Sequence, residues 1–206
     1  MEISRRKSFD FSKLLLPPSV SLNKMARMAP PDDELICIQK SLAGDSDAFA
    51  ALVKQYQKMV FALAFRMTGS LSDAEDLSQE TFVRAFRQLN SFRAESKFST
   101  WLCQIAVNLS LNWRAREGRR GNIHSQWAEN AITDSPGDFP DELSQRVQRA
   151  LDRLPPKQRA AIVLTVYENR SHAEAAKLLN CTEATISWRV FAARHKLKHL
   201  LKGAVL

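Results

Sequence analysis

The stretch that decides the fold runs from Ser171 to Leu201, SHAEAAKLLNCTEATISWRVFAARHKLKHLL. Ser171 and Glu174 form an S-x-x-E capping box, which satisfies two orphan backbone N–H groups at a helix start. The helix it opens carries Ala173, Ala176 and Leu179. It ends near Asn180, a residue that tolerates the left-handed backbone a helix stop requires. Thr182 caps a second helix, on which Ile186, Val190, Ala193, Leu197 and Leu200 recur at spacings of three and four. Thr185, Ser187, Trp188, Arg189 and, further along, Arg194 face outward. Small residues at the crossing (Ala175, Ala176) and a polar, basic outer face describe a helix-turn-helix whose second helix suits a DNA major groove. An ordinary helical hairpin with a solvated face gives a similar pattern, so the rest of the chain decides.

The totals set bounds. The 206 residues hold one domain or two small ones, and 45% hydrophobic with 25% charged residues is an ordinary globular mixture. Six glycines, eight prolines and few β-branched runs favour an all-α build. The net charge of +8 points to a polyanionic partner. Cys37, Cys103 and Cys181 are far apart and embedded in helical patterns, which suits reduced thiols in a cytoplasmic protein. Neither they nor the four histidines have metal-site spacing, so no metal and no cofactor is expected. No apolar run reaches membrane-span length, and Leu14 to Leu16 is too short for a signal-peptide core.

Along the chain, residues 1–31 read as a flexible basic arm, with six Lys or Arg against Glu2 and Asp10. Met25 and Met28 are alternative candidates for the start. A short helix comes next, over Asp32 to Leu42. Asp45 or Ser46 caps a longer one, with Phe49, Leu52, Val53, Tyr56, Met59, Val60 and Leu63 as its stripe and its end near Gly69. Ser72 and Glu75 suggest a second capping box. The helix it would open has an apolar stripe (Leu77, Thr81, Phe82, Ala85, Phe86, Leu89) and an acidic face (Asp73, Glu75, Asp76, Gln79, Glu80). Acidic residues belong in a first helical turn. With no histidine nearby, this face reads as a polar docking surface before it reads as acid–base or metal chemistry.

A polar loop then leads into a third helix lined by Leu102, Ile105, Ala106, Leu109 and Trp113. Around it Phe92, Phe98 and Trp101 interleave with Arg93, Lys97, Ser99, Thr100 and Asn108. Residues 92–120 hold six basic residues against two acidic ones. Aromatics can stack unpaired bases while cations hold the flanking phosphates. The alternative is that the aromatics are core and the arginines favour a helix C-terminus. Residues 121–142 contain no Lys or Arg and five acidic residues, the composition of a flexible acidic linker. Leu143, Val147, Ala150, Leu151 and Leu154 make the next helix, stopped by Pro155-Pro156. Pro156 then starts another helix, through Ala160, Ala161, Val163, Leu164 and Tyr167. The fold class is therefore all-α: two small helical domains, 32–120 and 143–202, the second containing the helix-turn-helix.

Taken together the chain resembles an extracytoplasmic-function sigma factor, of the sigma-E-like group, over roughly Asp32 to Leu201. Asp73-Ala-Glu-Asp-Leu-Ser-Gln-Glu-Thr-Phe82 is similar to the segment with which that family docks on core RNA polymerase. Phe92-Arg-Ala-Glu-Ser-Lys-Phe-Ser-Thr-Trp101, running on to Asn108, resembles its promoter-melting segment. Leu154 to Arg159 and Thr182 to Leu197 resemble its C-terminal promoter-recognition domain. The resemblance implies core-polymerase contacts through Asp73, Glu75, Asp76, Gln79 and Glu80. It implies −10 melting by Phe92, Arg93, Lys97, Phe98, Ser99, Thr100, Trp101 and Asn108. It implies −35 reading by Thr182, Thr185, Ser187, Trp188, Arg189, Phe191 and Arg194. The implied partners are core RNA polymerase, promoter DNA as duplex and melted strand, and an anti-sigma factor, in this family often membrane-anchored; no small-molecule substrate and no catalysis are implied. The chain departs from the family pattern at Ser187-Trp188, where a basic residue and serine are usual, at Ala192, where arginine is usual, and at His172, where an aromatic is usual. The N-terminal arm has no family counterpart.

Two rival readings differ in class. A dimeric helix-turn-helix repressor would bind palindromic duplex without polymerase, but has no use for the aromatic stretch at 92–101. A nucleic-acid enzyme would use Asp73, Glu75, Asp76 and Glu80 with a divalent metal.

Overall fold

The computed structural model describes residues 31–119 and 142–201, and among these every regular element is helical. The basic arm before Pro31 and the acidic linker up to residue 141 lie outside the described residues. In chain order the helices are α1 (Pro31–Leu42), α2 (Ser46–Thr68), α3 (Leu71–Arg87), α4 (Phe98–Arg119), α5 (Glu142–Asp152), α6 (Pro156–Ile162), α7 (His172–Leu178) and α8 (Glu183–Leu201). A 3-10 turn, Leu89–Ser91, comes after α3.

The N-terminal half is built on α2, which packs against α1, α3 and α4. Asp45 caps its start, its carboxylate accepting from Asp47 and Ala48 N–H at 2.9 and 3.1 Å. Leu52, Val60, Leu63, Ala64 and Met67 are buried along it, and each large one contributes about 1.5–3 kcal/mol by leaving water. The helix stops at Gly69, whose φ of +83° is left-handed and whose N–H returns to the Phe65 carbonyl at 2.8 Å. The next helix starts earlier than the S-x-x-E pattern suggests. Its cap is Ser70, whose hydroxyl accepts from Asp73 N–H at 3.3 Å, because Gly69 leaves the chain extended at 70. Ser72 and Glu75 are instead exposed residues within α3. Phe86, counted in the stripe of α3, stands half out, with its ring edge-on to Phe49 at a centroid distance of 5.0 Å.

In the C-terminal half, α6 begins at Pro156 and runs without a break into one wider π-helical turn, Val163–Tyr167. Such a turn inserts an extra residue and re-aims the chain beyond it. Here it directs Tyr167, Glu168 and Arg170 toward the N-terminal half. The capping box on α7 forms as the sequence predicts, with Ser171 and Glu174 exchanging both hydrogen bonds. Asn180 is left-handed with φ +46°. Thr182 accepts from Thr185 N–H at 3.2 Å, and Ile186, Val190, Ala193 and Leu197 are buried.

The two halves share a seam that no sequence pattern predicts, with α5 and α6 lying against α2 and α4. Its centre is the C-terminal end of α2, whose last carbonyls lack intrahelical partners. Gln148 donates to the Phe65 carbonyl at 3.3 Å and Arg159 donates to that of Arg66. Arg114 donates to those of Met67 and Thr68 at 3.0 and 3.1 Å. Two guanidinium groups thus sit at the negative end of the helix dipole. Asp152 balances them, pairing with Arg159 and, at 3.4 Å, with Arg114.

Candidate nucleic-acid interface

Three surfaces carry the residues singled out above. The first is the acidic face of α3. Glu75, Asp76 and Gln79 are exposed, while Asp73 and Glu80 are half-buried. Glu80 is held by Arg84 one turn on, with Nε to Oε1 at 2.7 Å. Asp73, Asp76 and Glu80 look across a cleft of about 450 Å³ at Asn112, Trp113 and Arg116 of α4. The cleft is open, acid on one wall and aromatic and basic on the other, which suits a polar surface of a protein partner. Among the described residues, no group of three or more His, Cys, Asp or Glu is placed to hold a metal ion.

The second surface is the loop between α3 and α4 with the first turn of α4. Phe92, Phe98 and Trp101 form a closed triangle of rings, centroids 5.4 to 5.5 Å apart, and Tyr56 joins Phe98 at 5.5 Å. Their roles separate by exposure. Phe98 is 1% exposed, so its ring offers no open face and acts as the prop of the cluster. Phe92 and Trp101 are half-buried. Arg93 and Lys97 stand exposed on a loop whose apex, Ala94, is left-handed at φ +56°. That conformation is uncommon for a residue with a Cβ and marks a loop held in one shape by its surroundings. Asn108 is exposed two turns along α4 from Trp101.

Ser99 and Thr100 have a different environment from the one the sequence suggests. Arg170, from the C-terminal half, donates to Thr100 Oγ1 at 2.9 Å and reaches Ser99 Oγ at 3.5 Å. Both hydroxyls are thereby engaged across the seam. Further along it, the Arg66 guanidinium lies over the Tyr167 ring at 4.3 Å. Burial raises the Glu168 carboxyl against the pull of Arg66 and Arg170, and pushes Asp152 up to about 6 against Arg114 and Gln148. Arg66 Nη1, Arg159 Nη1, Glu168 Oε1 and Arg170 Nε are buried with no hydrogen-bond partner among the described residues. Unpaired polar atoms of this kind weaken a docked interface, because separation returns them to water.

The third surface is the outer side of α8. Trp188 and Phe191 are 63% and 70% exposed. Ser187 is exposed, but its hydroxyl donates to the Glu183 carbonyl at 3.1 Å and meets His172 Nδ1 at 2.9 Å. His172 therefore ties α7 to α8, a contact across fifteen residues that no local pattern announces. Thr185 is paired with Thr182 through their hydroxyls at 2.8 Å. Arg189 turns back to the Cys181 sulfur at 3.4 Å, and Arg194 is exposed on the flank.

Comparison with known proteins respects this division into halves. Residues 52–120 match the family model described as Sigma-70 region 2, and residues 144–197 match Sigma-70, region 4. The chain is 33% identical over 178 residues to the ECF RNA polymerase sigma factor SigW of Bacillus subtilis, covering 80% of this chain and 95% of that protein. It is 35% identical over 182 residues to the ECF RNA polymerase sigma-E factor of Salmonella typhimurium, covering 82% and 95%. Among solved structures it is similar to the sigma factor RpoE of Bartonella quintana in complex with the anti-sigma factor NepR. The TM-score is 0.60 at 28% identity, covering 75% of this chain and 96% of that one. With both regions present in order, and identity sustained over nearly the whole of its relatives, the chain belongs to the extracytoplasmic-function family of RNA polymerase sigma factors.

Proposed function

We infer that this factor joins core RNA polymerase through the acidic face of α3 and directs it to promoters read at two separate elements. Asp73, Glu75, Asp76, Gln79 and Glu80 supply the polymerase contact. The loop from Phe92 to Lys97, with Trp101 and Asn108, takes the melted −10 strand, its cations on phosphates and its open ring faces on bases. The outer side of α8 enters the −35 major groove. The protein works by binding, with no catalysis of its own, in the cytoplasm and under the control of an anti-sigma partner. Two weak contacts joined in one chain act at high effective concentration on one promoter.

The observation that carries this reading is the exposed, cationic loop braced on buried Phe98, because a duplex-only repressor needs no platform for unpaired bases. The docked arrangement adds a condition. Ser99 and Thr100 are held by Arg170, so the two halves separate before those hydroxyls reach DNA. The test is anisotropy of a fluorescent single strand titrated with the full chain, with and without core polymerase. Core polymerase should tighten single-strand binding, and Arg93→Ala with Lys97→Ala should abolish that gain. Equal affinity with and without core polymerase would contradict the assignment.

A further inference from the structure

We propose that the −35 element of this factor is read through thymine C5-methyl groups, by Ala184, Trp188 and Phe191 on the outer side of α8. This rests on the reading of α8 as the duplex-contacting helix and specifies what that helix recognises.

Trp188 and Phe191 are the two most exposed large apolar side chains among the described residues. They lie three residues apart in the first half of α8, opposite the buried Ile186, Val190, Ala193 and Leu197. Ala184 is exposed one turn before Trp188, and Ala192 stands next to Phe191, so the side turned outward in these turns is apolar. Polar groups that could read base edges are occupied or turned away. The Ser187 hydroxyl is held by His172 and the Glu183 carbonyl, Thr185 by Thr182, and the Arg189 guanidinium by Cys181. A guanine contact needs two parallel donors from an arginine or lysine, and the exposed cations of α8, Arg194, Lys196 and Lys198, lie beyond these turns, toward its C-terminal half. Apolar side chains read instead the one apolar feature of the major groove, the thymine methyl.

Charge on the flanks points to duplex DNA as the occupant. Lys177 on α7 and Arg194, Lys196 and Lys198 on α8 are all exposed, with Glu183 the single carboxylate of α8. Cations around an apolar centre match phosphates on either side of a groove.

The experiment selects preferred duplexes from a randomised library with the full-length chain, then replaces each thymine of the winning site by deoxyuridine, which removes only the methyl. Wild type should lose about fourfold in affinity for each methyl it contacts. Trp188→Ala and Phe191→Ala should bind more weakly overall and become indifferent to deoxyuridine at one or more of those positions. Both side chains are exposed, so the variants should fold normally, which circular dichroism checks. A clear winning site that tolerates deoxyuridine at every thymine overturns methyl readout and leaves the −35 assignment standing. No enrichment of any sequence overturns both. An affinity for core polymerase or another protein that Trp188→Ala destroys, with DNA binding intact, overturns the occupant.

Discussion

Replacing Phe98 separates a structural prop from a base-stacking platform. The side chain is 1% exposed and has three aromatic neighbours, Tyr56, Phe92 and Trp101, with centroids at 5.5 Å. Truncating a buried phenylalanine costs about 3–5 kcal/mol, and lost ring pairs place this site near the middle of that range or above it. A loss of about 4 kcal/mol is a large share of a typical total of roughly 5–15 kcal/mol. For a chain of this size it lowers Tm by roughly 10 °C. Phe98→Leu keeps most of the volume and loses chiefly the ring edges, so it should cost roughly 1–1.5 kcal/mol.

The two variants are compared by thermal unfolding and by fluorescence of 2-aminopurine in the −10 strand of a promoter complex with core polymerase, below the Tm of both. If Phe98 braces Phe92 and the loop, strand opening should track stability: poor for Phe98→Ala, near normal for Phe98→Leu. The reasoning is refuted if Phe98→Leu folds like wild type but opens DNA as poorly as Phe98→Ala, because then the ring itself touches a base. It is equally refuted if Phe98→Ala melts within about 2 °C of wild type.

Gly69→Ala should destabilise the fold by roughly 1–2 kcal/mol through its left-handed φ alone; a Cβ there would also stand 2.5 Å from an Asp152 oxygen, so chemical denaturation should show a loss larger than the backbone strain explains. Asp152 makes docking of the two halves pH-dependent: its carboxyl is raised to about 6 when buried against an ordinary 3.8, so its contribution is full below 3.8 and is lost as pH rises through 6. Energy transfer between dyes on the two halves should therefore increase from about pH 7 to about pH 5 in wild type and change less in Asp152→Asn, where Glu168 is a remaining raised carboxyl of the seam; identical profiles would count against the seam. Glu80→Lys should leave thermal stability within about 0.5 kcal/mol, since it breaks only a partly exposed pair with Arg84, while weakening binding to core polymerase at least tenfold by gel-shift titration; parallel loss of stability and binding would place Glu80 in the fold instead.

Most of the fold is legible in the sequence because its signals are local. The capping box at Ser171, the left-handed residues at Gly69 and Asn180, and Pro156 at a first helical position each act within one turn, and each helix stripe repeats every three or four residues. The Ser72 signal misleads because Gly69 sets the chain direction first and Ser70 becomes the cap. The seam is invisible for a different reason. Arg114 reads as one of several arginines at the end of α4, yet its partners are carbonyls 46 and 47 residues back and a carboxylate 38 residues on. The sequence shows only an arginine, Arg159, at the head of the apolar run Ala160 to Leu164; the structure buries that run and leaves Arg159 0% exposed. An arginine inside an apolar face asks for a buried acceptor, which here is the end of α2. The acidic face, the aromatic loop and the helix-turn-helix were all placed by pattern. What pattern could not supply was which ring is buried, that Arg170 covers Ser99 and Thr100, and that Ser187 and Arg189 bond to His172 and Cys181.

The central claim is that this chain gives RNA polymerase its promoter choice, and run-off transcription with purified core polymerase on pooled genomic promoter fragments tests it most directly. Discrete transcripts that require the protein, with start sites sharing two short upstream elements, are the predicted result. Transcription unchanged by the protein, together with tight palindromic duplex binding by a stable dimer, would contradict the account.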